Sequence, residues 1–154
     1  MYPLKNSQEN NELDLQQILK AADSAATAAS EVLMARFRPN SAEALDRVYK
    51  SPNALVTDAD LAADKAITEA LIAADAPGRI LSEESETKLS DDDSLTWLVD
   101  PLCGTVPFST GMDHWGVNIA LRKDGDLIAA SLPLPSLGER LSAIKANEIG
   151  RAHV

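Results

Sequence analysis

The sequence predicts a layered α/β fold of the α+β kind, with two N-terminal helices packed on a largely antiparallel sheet. Three observations predict it. Apolar residues recur at helical spacing over Leu15, Ile18, Leu19, Ala22, Ala26, Ala29 and Leu33, and again over Ala63, Ile67, Ala70, Leu71 and Ala74. After residue 115 the pattern changes to "WGVNIALRKDGDLIAASLPLP", two strand-like runs around Asp124-Gly125, a dipeptide that favours tight hairpins. Aromatic residues are only 4% of the chain while alanine is frequent, which suits closely packed helices better than an aromatic-rich sandwich.

The first helix is expected to begin at Leu15 and end near Arg38, because Pro39 disfavours helix in the residue before it. The segment 40–53 is open between a short helix and a strand. A second helix is expected to start at Thr57, with Asp60 three residues on completing an acidic version of a capping box, and to stop at Pro77-Gly78. "RILSEES" reads as a short strand ending in acids, and residues 86–94 as an acidic surface loop. "WLVDPLCGTVPF" reads as a strand ending at Asp100, followed by a glycine-containing turn. "GERLSAIKA" supplies a further strand. Three segments result: a frayed terminus over 1–12, a folded domain over 13–147, and a tail over 148–154. The tail, "EIGRAHV", departs in period and polarity from what precedes it and is expected to be artefactual, the alternative being an ordinary polar C-terminus.

The chain has 154 residues, enough for one domain with a core. Its net charge of −10 argues against nucleic-acid polymers, whose phosphates require clustered Lys and Arg. It does not exclude a small phosphorylated molecule, since bound cations invert the local field. One cysteine excludes an internal disulfide and fits a reducing compartment. No apolar run approaches the ~20 residues of a membrane-spanning helix, and the N-terminus lacks the order of a signal peptide. A cytoplasmic location without membrane contact is the expectation.

Acids stand at the ends of predicted elements: Asp58 and Asp60, Glu83 and Glu84, and Asp100. Hard divalent cations take several oxygen ligands, and carboxylates from separate strand ends can converge on one point. Backbone N–H groups of the Gly104-Thr105 turn could then meet a phosphate. Such ingredients suggest metal-dependent phosphate-ester hydrolysis. The bland readings are a solvated helix-start acid for Asp58, a helix cap for Asp60, a turn-capping acid for Asp100, and core packing for Trp97 and Trp115.

"VTDAD", "LSEES" and "WLVDPLCGTVPF", in this order, resemble the motifs of the inositol monophosphatase family, which are magnesium-dependent, lithium-sensitive phosphomonoesterases. The resemblance is read as covering residues 13–146 and as confined to the N-terminal half of a family member. It implies that Glu83 binds a first metal and orients the attacking water, and that Asp100 bridges two metals. Leu102 would offer its backbone carbonyl. Thr105 would help activate the water with Asp60 as its acidic partner, and the Gly104 and Thr105 amides would face the substrate phosphate. Cys103 stands where the family has a second aspartate, a ligand of the second metal. Pro107 replaces a usual asparagine, and the family's later W-D-x-A aspartate is absent. The resemblance therefore implies Mg2+ as cofactor, direct attack by metal-activated water on a phosphorylated small molecule, a homodimer at full length, and an inactive N-terminal fragment here. The alternative is a non-catalytic relative that binds a phosphorylated ligand or a protein partner, its second metal site altered by Cys103.

Overall fold

In the computed structural model, residues 13–38, 52–145 and 150–153 are described. The terminus over 1–12, expected to fray, and the segment 40–51, left open above, lie outside the described residues, as do 148, 149 and 154 of the tail.

Helix α1 spans Leu15–Met34. Asp14 caps it, accepting hydrogen bonds from the Gln16 and Gln17 amides at 3.0 and 3.3 Å. It ends earlier than expected. Residues 35–38 form a turn with bonds from Arg36 N to Leu33 O and from Phe37 N to Met34 O, and Arg38 has φ 49°. Its buried face is mostly alanine (Ala21, Ala22, Ala25, Ala26 and Ala29), and α2 packs closely on it.

Helix α2 spans Pro52–Ala73. The expected start at Thr57 is therefore corrected. Proline at the first helical position has its φ already set and lacks an N–H the helix would leave unpaired anyway, so the helix begins there. Thr57 and Asp60 lie inside it and do not cap it. Ala59, Ala63, Ile67 and Leu71 form its buried stripe, with Asp60 and Asp64 buried beside them.

The sheet comprises β1 Arg79–Ser82, β2 Glu86–Lys88, β3 Leu95–Cys103, β4 Gly116–Lys123, β5 Asp126–Leu134, β6 Glu139–Ile144 and β7 Gly150–His153. A short helix, α3 (Thr105–Thr110), follows β3. The strand order is β2-β1-β3-β4-β5-β6-β7. Among these pairs β1 and β3 are parallel and the others antiparallel. The sheet is thus mixed and largely antiparallel, and the predicted fold class holds.

One reading of the chain changes. Residues 86–88 are not loop: a tight turn closed by Ser82 N to Ser85 O at 2.8 Å folds them back on β1 as a charged edge strand. Residues 150–153 of the tail pair with β6, Ser142 opposite Gly150. The hairpin at Asp124-Gly125 forms as read, with φ of 50° and 95°, the two positive values a type I′ turn needs.

Both helices cover one face of the sheet. Ile80, Trp97, Val99, Ile119, Leu121, Ala129 and Ile144 are buried in that layer. Trp97 donates from its ring nitrogen to the Pro77 carbonyl at 2.9 Å. Phe37, Phe108 and Trp115 stack mutually with ring centroids 5.0–5.5 Å apart, anchoring α3, so both tryptophans are core residues. One polar tie joins the layers. Asp23 of α1 accepts from Ser131 Oγ at 2.7 Å and Ser142 Oγ at 2.9 Å, and Arg140 Nε lies 3.2 Å away as an ion pair without hydrogen-bond alignment.

Asp23→Ala would leave two hydroxyls without their acceptor and a largely buried guanidinium without its counter-charge. The expected loss is about 2 kcal/mol of unfolding free energy in urea titrations, with Asp23→Asn losing less.

Candidate functional site

Parallel pairing of β1 and β3 builds the site. Ser82 stands opposite Val99, so the turn after β1, carrying Glu83 and Glu84, emerges beside Asp100. Ligand sites in open α/β sheets commonly lie at the carboxyl ends of parallel strands. From the helical layer, Asp60 of α2 reaches the same place. Its carboxyl is pushed up to about 6, first by burial and then by the charges of Glu84, Asp100, Glu83 and Asp64. Four acids therefore act on Asp60 at this end of the sheet, with Glu83 and Glu84 exposed and Asp60 buried. Arg36 pairs with Asp58 at 2.7 Å, which holds that acid as an exposed ion-paired residue.

Strand β3 does not stop at Asp100, as the sequence reading had it. It runs to Cys103 through a bulge: Asp100 faces Asn118, and Cys103 faces Gly116. The extra residue re-aims this end of the strand. Asp100 Oδ1 accepts from the Leu102 amide at 3.2 Å, and the Leu102 side chain is buried. Cys103 is exposed and sits at a strand end, not within a turn. Its thiol is raised above the ordinary range by burial, by the Asp100 charge, and by its hydrogen bond to that carboxylate; Asn118 acts the other way. Gly104 has φ 90°, and a Cβ there would meet His114 O at 2.6 Å, so only glycine fits. Thr105 opens α3 and is exposed, and α3 packs against α2. An open depression of about 380 Å³ lies against Leu81, Ser82, Glu83, Val99, Asp100 and Asn118.

The structure thus brings together Asp60, Glu83, Asp100 and Cys103, with Gly104 and Thr105 following directly. It adds Asp64, which the sequence reading passed over although it lies one helical turn from Asp60, and Asn118, which only strand register places beside Asp100. The donor chemistry fits a hard divalent cation. The acids repel one another, and Asp64 Oδ1 is buried without a hydrogen-bond partner. The thiol of Cys103 does not fit as a ligand of a second magnesium ion, being soft and held protonated. Among the described residues no three His, Cys, Asp or Glu side chains converge closely enough to hold a metal ion as they stand, and no helix is long and apolar enough to cross a membrane.

The molecule is an α/β protein with a carboxylate cluster at the ends of adjacent parallel strands. The model of the inositol monophosphatase family matches residues 14–150, and the chain belongs to that family. The match runs across nearly the whole chain, which corrects the narrower reading of an N-terminal-half likeness. The chain is 38% identical over 98 residues to a glucose-1-phosphate thymidylyltransferase of Streptomyces griseus, covering 63% of this chain and 38% of that one. It is 34% identical over 94 residues to an inositol-1-monophosphatase of Rhizobium meliloti (strain 1021), covering 61% and 35%. CysQ from Bacteroides thetaiotaomicron, a bacterial member of the family, superposes with a TM-score of 0.77 at 26% identity, over 90% of this chain and 50% of that one. The chain therefore spans about half the length of this solved relative and under two fifths of the two curated ones.

Asp60 supplies a pH signature. Its raised pKa favours the folded state at low pH; that contribution is complete below about 3.8 and is lost as pH rises through about 6. Without divalent cations, Asp60→Asn is expected to be more stable than the unsubstituted chain at pH 7 by about 1 kcal/mol, discounted for solvent screening. The difference should vanish near pH 4, as read by thermal melts at both pH values. A further expectation concerns Cys103. Despite its exposure, iodoacetamide should alkylate it several-fold more slowly at pH 7.5 than a free cysteine peptide, and Asp100→Asn should raise the rate.

Proposed function

We propose that this chain carries the cation- and phosphate-binding end of a magnesium-dependent phosphomonoester hydrolase. The observation that carries the reading is that Glu83, Glu84 and Asp100 lie near enough to Asp60 for their charges to act on it, at the strand end that leads into the Gly104 turn. Family membership supports it, as does the inositol-1-monophosphatase among the relatives.

Glu83 and Asp100 would hold the cation, with the Leu102 carbonyl as a backbone donor. Bound magnesium supplies Lewis acidity and makes water a stronger acid at neutral pH. Glu83 is exposed at the mouth of the depression, where its carboxylate can orient a water molecule. Asp60, with a pKa of about 6, lies in the range suited to accepting a proton near neutrality, and the family resemblance would make the Thr105 hydroxyl its relay. The Gly104 and Thr105 amides serve the phosphate. The substrate class is a small phosphorylated molecule; the net charge of −10 supports that choice over a nucleic-acid polymer.

A second reading is a non-catalytic relative that retains phosphate-ligand or protein binding. Cys103 favours it: a protonated thiol in place of a carboxylate removes one negative charge and one hard oxygen donor from the second cation's position.

The two readings separate in one set of measurements. Titration calorimetry with Mg2+ is expected to give binding that Glu83→Gln and Asp100→Asn each weaken by about tenfold, the loss of one charged ligand. Cys103→Asp should tighten it. Phosphate release from inositol 1-phosphate by the chain should be slight and should rise in Cys103→Asp. Binding indifferent to both acid substitutions would sink the hydrolase reading, and tighter binding without any phosphate release would favour the second.

A further inference from the structure

Asp64 is buried, with 8% of its surface exposed, and its two oxygens differ. Oδ2 accepts a hydrogen bond from Ser85 Oγ at 2.8 Å, while Oδ1 is buried without a hydrogen-bond partner. No ion pair ties it to a lysine or arginine among the described residues. A buried carboxylate without a compensating cation is costly, and a residue serving only to fill the core would be apolar.

Its one hydrogen-bond donor explains its place. Ser85 closes the turn that carries Glu83 and Glu84. Within that turn, Ser82 N donates to Ser85 O at 2.8 Å and Glu84 N to Ser82 Oγ at 3.3 Å. Those bonds shape the turn but do not fasten it to the helical layer; the Ser85–Asp64 bond does, reaching across 21 residues of chain. Asp64 lies four residues after Asp60, on the same face of α2. One turn of helix thus presents an acid to the cluster and a clamp to the loop that completes it.

We propose that Asp64 is a positioning residue, which through Ser85 Oγ locks the Glu83–Glu84 turn against α2 and so holds both carboxylates facing Asp60 and Asp100. What the turn is held ready for rests on the hydrolase reading; the clamp itself does not.

Amide hydrogen exchange of residues 83–86 in the metal-free chain tests the clamp. Asp64→Ala and Ser85→Ala are each expected to speed exchange there by about tenfold, as for loss of one ordinary hydrogen bond. Asp64→Asn keeps an oxygen that can accept from Ser85 and should stay within about twofold of the unsubstituted chain. Unchanged exchange in Ser85→Ala, or exchange in Asp64→Asn as fast as in Asp64→Ala, overturns the proposal. Ser85→Ala removes only a hydroxyl, so it keeps the test decisive where Asp64→Ala fails to fold. Mn2+ affinity, followed by water-proton relaxation, gives the functional arm. A loosened turn with several-fold weaker Mn2+ binding supports the proposal, and a loosened turn with unweakened binding overturns it. If the unsubstituted chain binds no Mn2+, the hydrolase reading fails, and the exchange data alone decide on the clamp.

Discussion

Like charges brought together at the ends of two parallel strands are the constraint around which this structure is arranged. Burial, and then the charges of Glu84, Asp100, Glu83 and Asp64, push the Asp60 carboxyl up to about 6. A fold tolerates such crowding only when the scaffold over-determines it. Here the scaffold is the Ile67–Leu71 stripe of α2 packed on the Trp97–Val99 stretch of β3, with β1 paired in parallel beside it. The hydrophobic layer keeps the acids in place against their repulsion.

The remaining features follow from where those acids must sit. The bulge between Asp100 and Cys103 turns the strand end so that the chain can enter α3 through Gly104, the residue whose positive φ and lack of Cβ permit close passage under His114. The trio of Phe37, Phe108 and Trp115 then fixes α3 against the end of α1. On the far side of the helical layer, the Asp23 network with Ser131, Ser142 and Arg140 ties α1 to β5 and β6. That network is compensated by a cation and, among the described residues, no ion pair reaches Asp60, Asp64, Glu83, Glu84 or Asp100, a contrast that separates a structural carboxylate from those suited to a ligand.

Cys103 belongs to the same electrostatic setting. Burial first, and then the charges of Asp100 and Glu83, disfavour a thiolate there, so the thiol keeps its proton. An aspartate at that position would ionise near ~3.9 and offer a hard oxygen to a cation. The thiol therefore leaves less negative charge at this corner than an aspartate would.

By itself the sequence determined the layers, the helical and strand periods, the hairpin at Asp124-Gly125, and the place of Glu83 and Glu84 just after a strand. These are local: spacing of apolar residues and turn chemistry act over a few residues, and the family motifs are contiguous stretches. It misplaced the start of α2, because the Thr57–Asp60 spacing of a capping box occurs inside a helix as well as at its start. It took residues 86–88 for loop, because a three-residue charged edge strand carries no periodic signal. Only the tertiary structure decided that β1 and β3 run parallel and side by side, that Asn118 faces Asp100 across the bulge, and that Asp64 reaches Ser85. Those relations join residues 17 or more positions apart, and no pattern along the chain encodes a pairing set by burial and strand register in three dimensions.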